Sequence, residues 1–337
     1  MALACLTTPF DQSGRYRSME KSMLPSNVAP HPAESPAPLR PRHGWFQLAF
    51  VSQVPEGISS WKIGALRLIL VRAEASIRCF DANCPHRGAH LGVSGRLEDN
   101  AIVCSYHGYR IGLGAQACSG RFMLREFPTL VVGCMVLVRV SEERQFDLEA
   151  VLAALTSEHS FVEALHLEVR APMSLVIENG FDARHFEGIH GITVRDFEVA
   201  PRARGGLQAR GLFLAPFRQR RDGTPLTTLS PVPFEADAFS PGLILVRLGG
   251  DHPYGVMTGA TDRGDGSCEV RLTFVLPKAA WGDTPDPQRY QPLIRYSRAG
   301  IEDDRRVWES IAPDFVPDLV PEDRSITRFR AFCADFY

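Results

Sequence analysis

The sequence lacks an excess of either charge. Its 337 residues include 37 Lys and Arg against 39 Asp and Glu, for a formal net charge of −2 at pH 7. That balance leaves no broad basic surface, so we do not expect a nucleic-acid partner. No run of 18 or more apolar residues occurs, and the N-terminus lacks the basic and apolar regions of a signal peptide. These absences predict a cytoplasmic protein with no membrane partner.

The chain is also poor in features typical of disulfide scaffolds and dinucleotide sites. Its eight cysteines are irregularly spaced in a long chain, so reduced thiols are expected. No Gly-x-Gly-x-x-Gly follows a predicted strand, so the sequence offers no flavin or NAD site. Cys84 and Cys104 differ from the other cysteines because a histidine follows each of them within two or three residues.

Composition and hydrophobic patterning divide the chain into three parts. Residues 1–42 are rich in proline and are predicted to stay extended or mobile. Residues 43–145 contain short apolar runs broken by turns, which predicts a small antiparallel β domain. Residues 146–337 mix strand-like and helical patterns, which predicts a second domain with an antiparallel sheet flanked by helices. The fold class is therefore α+β.

Several elements of the second domain can be placed from the pattern. Strand-like runs occur at 165–169, 243–248 and 269–276. Helices are predicted at 174–186 and at 287–311. The polar, turn-rich residues 218–227 are a candidate mobile loop near a pocket.

The first set of metal-ligating residues is Cys84-x-His86 and, after a gap of 17 residues, Cys104-x-x-His107. Two thiolates and two imidazoles suit a two-iron cluster in which one iron takes sulfur ligands and the other takes nitrogen ligands. Replacing two thiolates by neutral imidazoles also raises the reduction potential of such a cluster. A structural zinc site is the alternative, but zinc sites favour Cys–Cys and His–His pairs, whereas each pair here is mixed.

The second set has the spacing Asn-x-x-Asp-x-x-His-x4-His, formed by Asn179, Asp182, His185 and His190. On a helix, the first three of these residues would share one side. Gly188 can end that helix and return His190 toward the same point. Two histidines at this spacing are by themselves more often an ordinary surface or core pair.

A 2-His-1-carboxylate iron site also needs a carboxylate, and the helix predicted at 287–311 offers Asp303 and Asp304. Asp304 has apolar neighbours one turn before it and one turn after it, which suits a buried metal. Asp303 has Arg306 one turn after it and a more solvent-like setting. We choose Asp304 and keep Asp303 as the fallback; an ordinary charged helix face is the alternative.

The two sets, in this order, resemble the motifs of the Rieske non-heme iron oxygenases. The similarity is greatest to the terminal (alpha) subunits of the shorter phthalate- and vanillate-oxygenase-like members, and it runs from about Gly44 to the C-terminus. It includes Glu309, five residues after the chosen aspartate. Ser105 and Tyr109 are departures, because the family usually has proline and tryptophan there.

The resemblance implies a helix-grip, START-like catalytic domain and two metal centres. A Rieske [2Fe–2S] cluster would be bound by Cys84 and Cys104 on one iron and by His86 and His107 on the other. A mononuclear Fe(II) would be bound by His185, His190 and Asp304, with Asn179 beside it.

The resemblance also implies partners and an electron route. Electrons would come from NAD(P)H through a ferredoxin or a flavin reductase, and O2 would be the co-substrate. In the family an aspartate links neighbouring subunits, so Asp182 is expected to connect His107 of one protomer to His185 of the next in a homotrimer.

The implied activity is oxygenation of an organic, aromatic or cyclic substrate, first of all as a monooxygenase that hydroxylates or oxidatively demethylates. Within this class the alternative is a cis-dihydroxylating ring dioxygenase. Outside it, the alternative is a Rieske electron-transfer protein with no mononuclear iron. The residues expected to wall the substrate pocket are Val176, Phe181, Phe186, Ile189 and the segments around Phe213, Phe234 and 243–246.

Overall fold

Four β-sheets form the framework of the chain in a computed structural model. The structure describes residues 40–114, 121–141, 147–203, 205–215, 230–250, 253–312 and 315–337. The predicted segment 1–42, the predicted domain boundary at 145/146 and the predicted loop 218–227 therefore lie wholly or largely outside the described residues. No helix among the described residues has both the length and the apolar character needed to cross a membrane.

Three small sheets and one short helix make up the N-terminal part. Its elements are β1 (Trp45–Phe50), β2 (Gly57–Ile63), β3 (Leu66–Ala73), β4 (Ser76–Asp81), α1 (Leu91–Ser94), β5 (Gly95–Glu98), β6 (Ala101–Cys104), β7 (Arg110–Leu113), β8 (Phe122–Leu124), β9 (Glu126–Phe127), β10 (Thr129–Val132) and β11 (Met135–Arg139). The strand orders are β1–β11–β10, β2–β3–β4–β9 and β5–β6–β7–β8. Neighbouring strands are antiparallel except β7 and β8, which are parallel. The predicted antiparallel β domain is confirmed apart from that pair.

Strand β3 contributes residues both to the main core and to the apolar cluster around the candidate cluster ligands. Its central residues Leu68, Ile69 and Leu70 are all fully buried, because both faces of the strand are covered. Leu68 and Leu70 belong to the large core, whereas Ile69 packs in a separate apolar cluster with Cys84 and Cys104. One strand therefore joins the candidate cluster site to the main core.

The C-terminal part is built on one seven-stranded sheet. Its elements are α2 (Leu148–Glu158), β12 (His159–Val169), α3 (Met173–Glu178), α4 (Ala183–Gly188), β13 (Thr193–Pro201), β14 (Leu207–Ala215), β15 (Ser230–Ser240), β16 (Leu243–Leu248), β17 (Tyr254–Asp262), β18 (Cys268–Pro277), α5 (Lys278–Trp281), α6 (Pro287–Trp308) and α7 (Arg324–Ala334). All neighbouring strands are antiparallel, in the order β12–β18–β17–β16–β15–β14–β13. The predicted α+β class is confirmed.

The sheet topology decides where the histidine-bearing segment lies. Strands β12 and β13 follow each other in the chain but lie at opposite edges of the sheet. The segment between them, with α3 and α4, must therefore cross one face of the sheet, and α3 packs against β17 and β18. Ile301 and Trp308 of α6 belong to the same core. The other face is covered by α2 and by Trp45 of the N-terminal part.

The predicted helix at 174–186 is wrong in one respect, because it is interrupted at Asp182. Helix α3 passes into a 3-10 turn, Asn179–Phe181, and Asp182 then has an extended backbone with φ −109° and ψ 97°. Its carboxylate accepts hydrogen bonds from the N–H groups of Arg184 and His185 and so starts α4. Asn179, Asp182 and His185 thus do not share one side of a single helix. Helix α4 has Gly188 as its last residue, two residues beyond the predicted end at 186.

Candidate metal centres

Two loops with the same backbone hydrogen bonds carry the first set of ligands. In each loop the cysteine N–H donates to the carbonyl five residues later, at 2.8 Å for Cys84 and 3.0 Å for Cys104. A glycine N–H then donates back to the cysteine carbonyl, from Gly88 in one loop and Gly108 in the other. These glycines have φ of 73° and 70°, which side-chain-bearing residues rarely adopt. The repeated turn presents both ligand pairs in the same way.

The four candidate ligands form two pairs of different exposure. The thiols of Cys84 and Cys104 are buried, His86 is half-buried and His107 is exposed. The Nδ1 atoms of His86 and His107 lie 3.2 Å apart, and the rings meet nearly edge to face. Two buried thiols and two imidazole nitrogens that lie close to each other fit the donor set of a Rieske [2Fe–2S] cluster.

The protein environment shifts the pKa of the Cys84 thiol and that of the His86 imidazole in opposite directions. Burial raises the pKa of the Cys84 thiol, the His86 backbone N–H opposes that shift, and the neighbouring Cys104 thiol adds to it. Desolvation lowers the pKa of the His86 imidazole, and the nearby His107 and Arg87 lower it further. The His86 imidazole is therefore mainly neutral at pH 7, as an iron ligand must be. A bound cation would favour the ionised form of the Cys84 thiol and so oppose the effect of burial.

Both departures from the family pattern have a local structural role. The N–H of Ser105 donates to the carbonyl of Ser94 at 2.7 Å, a bond that a proline in this position could not make. The Tyr109 ring meets the His86 ring edge to face at 4.7 Å and the Phe122 ring at 5.2 Å. Each substitution thus helps to fix one cluster loop.

The second set converges on one point. One ligand atom from each of His185, His190 and Asp304 can be chosen so that all three atoms lie within 4.8 Å of one another. His185 lies in α4, His190 lies just after it, and Asp304 lies in the last turns of α6. Residues far apart in the chain therefore meet on the face of the sheet that α3 and α4 cross.

Local contacts orient the two histidines. Nδ1 of His185 lies 2.6 Å from the carbonyl oxygen of Asp182, which leaves Nε2 as the nitrogen available to a ligand. The Phe186 ring packs against His185 with 4.0 Å between ring centroids and lies 6.4 Å from the His190 ring. A neighbouring aromatic ring and a backbone carbonyl thus fix the orientation of His185 before any metal binds.

The protein environment makes the two histidines unequal. Burial lowers the pKa of His185, whereas contact with the Asp304 carboxylate raises the pKa of His190. Asp304 Oδ1 lies 3.1 Å from His190 Nε2, yet this buried oxygen has no hydrogen bond of good geometry. A buried carboxylate oxygen without a hydrogen bond is costly. Two imidazoles and such a carboxylate fit the donor set of a mononuclear ferrous site.

The structure also separates the two aspartates. Asp303 is 49% exposed and pairs with Arg306 at 3.3 Å, whereas Asp304 is 13% exposed and faces His190. Asn179 lies near the site but points its Oδ1 at the indole N–H of Trp308, and its buried Nδ2 has no hydrogen-bond partner. Asp182, half-buried, caps α4 as described above.

Sequence reasoning missed the contacts that tie these elements together. Glu309 accepts hydrogen bonds from Arg170 and Arg305, and Trp308 donates to Asn179. Only the i,i+4 spacing of Arg305 and Glu309 was a local signal. The other partners lie about 130 residues away in the chain, beyond the reach of any periodic pattern.

The expected pocket wall is only partly assembled. Phe186 packs with Phe213, and Phe213 stacks on Phe234 with 4.3 Å between ring centroids. Phe181, however, is fully buried against Phe329. The expectation for 243–246 is wrong for Leu243 and Leu245, because alternate residues of a strand face opposite sides and these two pack on the far face with Trp45. Ile244 and Val246 face the side of the sheet that carries the metal-site residues.

Two family models match the chain and together cover most of it. The Rieske [2Fe-2S] domain matches residues 44–128. The model described as the 3-ketosteroid 9alpha-hydroxylase C-terminal domain matches residues 145–337, which is more than half of the chain.

The curated relatives match over part of their length. Cholesterol 7-desaturase nvd of Bombyx mori is 28% identical over 160 residues, which are 44% of this chain and 35% of that protein. The matched region thus spans about a third of that relative.

Solved structures share the fold over most of the chain. NdmB of Pseudomonas putida CBB5 is 18% identical with a TM-score of 0.61, covering 86% of this chain and 89% of its own. Dicamba monooxygenase bound to dicamba is 17% identical with a TM-score of 0.64, covering 88% and 97%.

Proposed function

The chain belongs to the family described by the 3-ketosteroid 9alpha-hydroxylase C-terminal domain, joined to a Rieske [2Fe-2S] domain as in the terminal subunits of Rieske oxygenases, and we propose that it oxygenates a polycyclic, steroid-like substrate as a monooxygenase. The substrate class is supported by the description of the matching family and by the similarity to a protein named cholesterol 7-desaturase. A steroid-like substrate is a narrower class than the aromatic or cyclic substrate expected from the sequence.

The single observation that carries the proposal is the convergence of His185, His190 and Asp304. A redox shuttle needs the cluster ligands alone, and it has no use for a buried carboxylate beside two oriented histidines. Fe(II) held by His185, His190 and Asp304 would supply the redox chemistry for the activation of O2. The chain's contribution is to hold these three side chains, to orient them and to limit the access of water.

Each side chain has a separate task in this proposal. The Asp182 carbonyl holds His185 in one tautomer and one orientation. The Phe186, Phe213 and Phe234 rings supply an apolar surface beside the histidines, which suits a rigid hydrocarbon skeleton better than a charged one. Asp304 supplies the negative charge that offsets the charge of a bound cation.

The test of the activity is substrate-dependent O2 uptake. The purified chain, with a ferredoxin and a flavin reductase as electron donors and NAD(P)H as the source, is offered a panel of 3-ketosteroids and sterols beside small aromatic ethers and N-methyl compounds. We expect oxygen-18 from O2 in one oxygen of a steroid product. Incorporation of both oxygen atoms would identify the dioxygenase alternative, and turnover of the small aromatic compounds alone would refute the substrate class.

We further propose that the active form is a homotrimer in which Asp182 of one protomer lies between its own His185 and His107 of a neighbour. Among the described residues, most of the exposed large apolar side chains belong either to the segments around the cluster loops or to the segment after α6, and this distribution supports assembly. The tip patch, near the cluster loops, contains Val93, Tyr106, Tyr109 and Met123. The tail patch, after α6, contains Ile311, Phe315, Val316, Leu319 and Val320.

Charge favours contact between unlike patches. Exposed Arg87 and Arg121 lie at the tip patch, and exposed Asp318 and Glu322 lie at the tail patch. A contact of tip to tail repeats around a ring, whereas a contact between like patches would stop at a dimer. Sedimentation should give the mass of three chains. Arg87→Glu and Asp318→Lys should each weaken the assembly, and the double variant should restore part of it; a monomer at micromolar concentration would refute the trimer.

A Rieske electron carrier remains the second candidate, because the first set of ligands is sufficient for that role. Iron analysis separates the two functions. Three irons per chain support the oxygenase, and two support the carrier.

A further inference from the structure

The last turn of α6 is bonded to both ends of the stretch that leads into the histidines. At one end, Glu309 Oε1 accepts from the backbone N–H of Arg170 at 3.1 Å, and Oε2 accepts from the Arg170 guanidinium at 3.0 Å. At the other end, the indole N–H of Trp308 donates to Asn179 Oδ1 at 3.3 Å. Arg170 directly follows β12, and Asn179 lies three residues before Asp182, which caps the start of α4.

We propose that Glu309 and Trp308 are positioning residues that fix Asp304 against His185 and His190, so that the three ligands are preorganised for Fe(II). The inference rests on the proposed iron site and deepens it. Nothing in the ligand set itself requires these two residues, and neither of them contacts the reacting atoms.

The positions of the three ligands in the fold explain why such positioning residues are needed. Asp304 lies near the end of a 22-residue helix, whereas the histidines lie on the segment that crosses the sheet. A small rotation or shift of α6 would move the carboxylate away from the histidine nitrogens, and metal sites tolerate only about 0.5 Å of such misplacement. Trp308 and Glu309 follow Asp304 by four and five residues, about one helical turn, so bonds at these positions resist that motion.

The surroundings of Glu309 distinguish it from an ordinary surface ion pair. Its side chain is 14% exposed and accepts hydrogen bonds from three donors. One of these donors is the backbone N–H of Arg170, which is held by the main chain and not by a flexible side chain. Glu302 lies on the same helix and approaches the same Arg305 at 3.7 Å, but it is 41% exposed and has no link to the β12 end. Glu302 is therefore a matched control.

The experiment measures Fe(II) binding to full-length protein whose Rieske cluster is intact and whose mononuclear iron has been removed by mild chelation. The variants are Glu309→Gln, Glu309→Ala, Trp308→Phe and the control Glu302→Gln. Affinity is read from an anaerobic Fe(II) titration, and site geometry from the electron paramagnetic resonance spectrum of the Fe(II)–nitrosyl adduct. Thermal unfolding of each iron-depleted variant is recorded beside them to report a general loss of stability.

We expect Fe(II) affinity to fall about tenfold in Glu309→Gln, the lower end of what loss of a supporting partner usually costs. Glu309→Ala should lose more, because glutamine can still accept from the Arg170 N–H. Trp308→Phe keeps an aromatic side chain, although a smaller one, and loses the N–H that donates to Asn179, and its nitrosyl spectrum should broaden. Glu302→Gln should match the wild type.

Wild-type affinity and an unchanged nitrosyl spectrum in both Glu309→Gln and Trp308→Phe would overturn the inference. It would also be overturned if every variant lost affinity only in proportion to its loss of thermal stability. Should Glu309→Ala fail to fold, the other two variants still decide the question. A wild-type chain that takes up no third iron would instead refute the proposed function, and with it this inference.

Discussion

Replacing Asp304 by alanine separates the metal-binding role of this residue from a role in the fold. In the iron-free protein the buried Asp304 Oδ1 lacks a good hydrogen bond, although it lies 3.1 Å from His190 Nε2. Leaving a buried polar atom unsatisfied costs about 1–3 kcal/mol, and this cost offsets the attraction to His190, so replacing Asp304 should change the free energy of unfolding little. The same substitution removes a direct ligand. It should weaken Fe(II) binding by at least roughly 100-fold, the upper value for loss of a supporting partner.

The expected magnitude follows from ligand linkage. At a free Fe(II) concentration of 100 times the wild-type Kd, binding stabilises the folded chain by ~2.7 kcal/mol. A variant with 100-fold weaker binding gains only ~0.4 kcal/mol under the same conditions. For a domain of this size, 1 kcal/mol shifts the unfolding midpoint by roughly 2–4 °C, so the wild type should gain roughly 5–10 °C and the variant less than about 2 °C.

The assay is thermal unfolding under anaerobic conditions, with and without added Fe(II), followed beside the visible spectrum of the Rieske cluster. Asp303→Ala is the matched control, because Asp303 is the preceding residue, is 49% exposed and contacts only Arg306 among the described ion pairs. Such a surface pair contributes about 0–1 kcal/mol, so the control should keep the full iron response. A full iron-induced shift in Asp304→Ala, or its loss in Asp303→Ala, would refute the assignment of the carboxylate.

Three further predictions follow from the described contacts. His107→Ala should abolish the visible absorption of the Rieske cluster, whereas His90→Ala, in the same region but outside the ligand pattern, should keep it. Hydrogen bonds, first of all from Arg305, lower the pKa of Glu309 to about 2, so the ionised carboxylate stabilises the fold above its ordinary pKa and that contribution is lost as pH falls toward 2. The difference in unfolding free energy between wild type and Glu309→Gln should therefore be full at pH 7 and shrink between about pH 4.5 and pH 2; a constant difference would contradict this. Asp237 is 1% exposed and bonded to two arginines and a glutamine. Asp237→Ala should lower the free energy of unfolding, measured by urea denaturation, by about 3–5 kcal/mol and leave the cluster spectrum unchanged.

Local pattern was sufficient for much of the fold. The strand-like run at 243–248 corresponds to β16, and the run at 269–276 lies within β18. The helix predicted to start at 287 starts there, with an Asp286 cap and Pro292 tolerated early in α6, and it ends at Trp308 rather than at 311. The two strands are continuous apolar runs and α6 is a long amphipathic segment, so local pattern was enough to identify them.

The sequence pattern did not reveal where a side chain would bind backbone N–H groups and interrupt a helix. The apolar spacing from Ser174 onward favours one continuous helix, yet the Asp182 carboxylate binds the N–H groups of the next turn and starts a new one. The outcome matters for the site, because the break turns the Asp182 carbonyl toward His185 Nδ1. For Leu243 and Leu245 the signal was present, since strict alternation along a strand assigns them to the face opposite Ile244.

Candidate ligands were identifiable from residue type and spacing, but the residues that hold these ligands in position were not. The choice of Asp304 over Asp303 followed from helical geometry, and the two side chains indeed differ in burial and in partner. The bond from Arg170 to Glu309 joins residues 139 positions apart, which only the folded sheet brings together. Whether these ligands hold iron stays a prediction.

Metal analysis of the anaerobically purified chain tests the central claim most directly. Iron and acid-labile sulfide are quantified for the wild type and for Asp304→Ala, with the cluster spectrum as the measure of Rieske content. The account predicts three irons and two sulfides per wild-type chain, and two irons with two sulfides in the variant. Two irons per chain in both proteins, with the cluster intact, would contradict it.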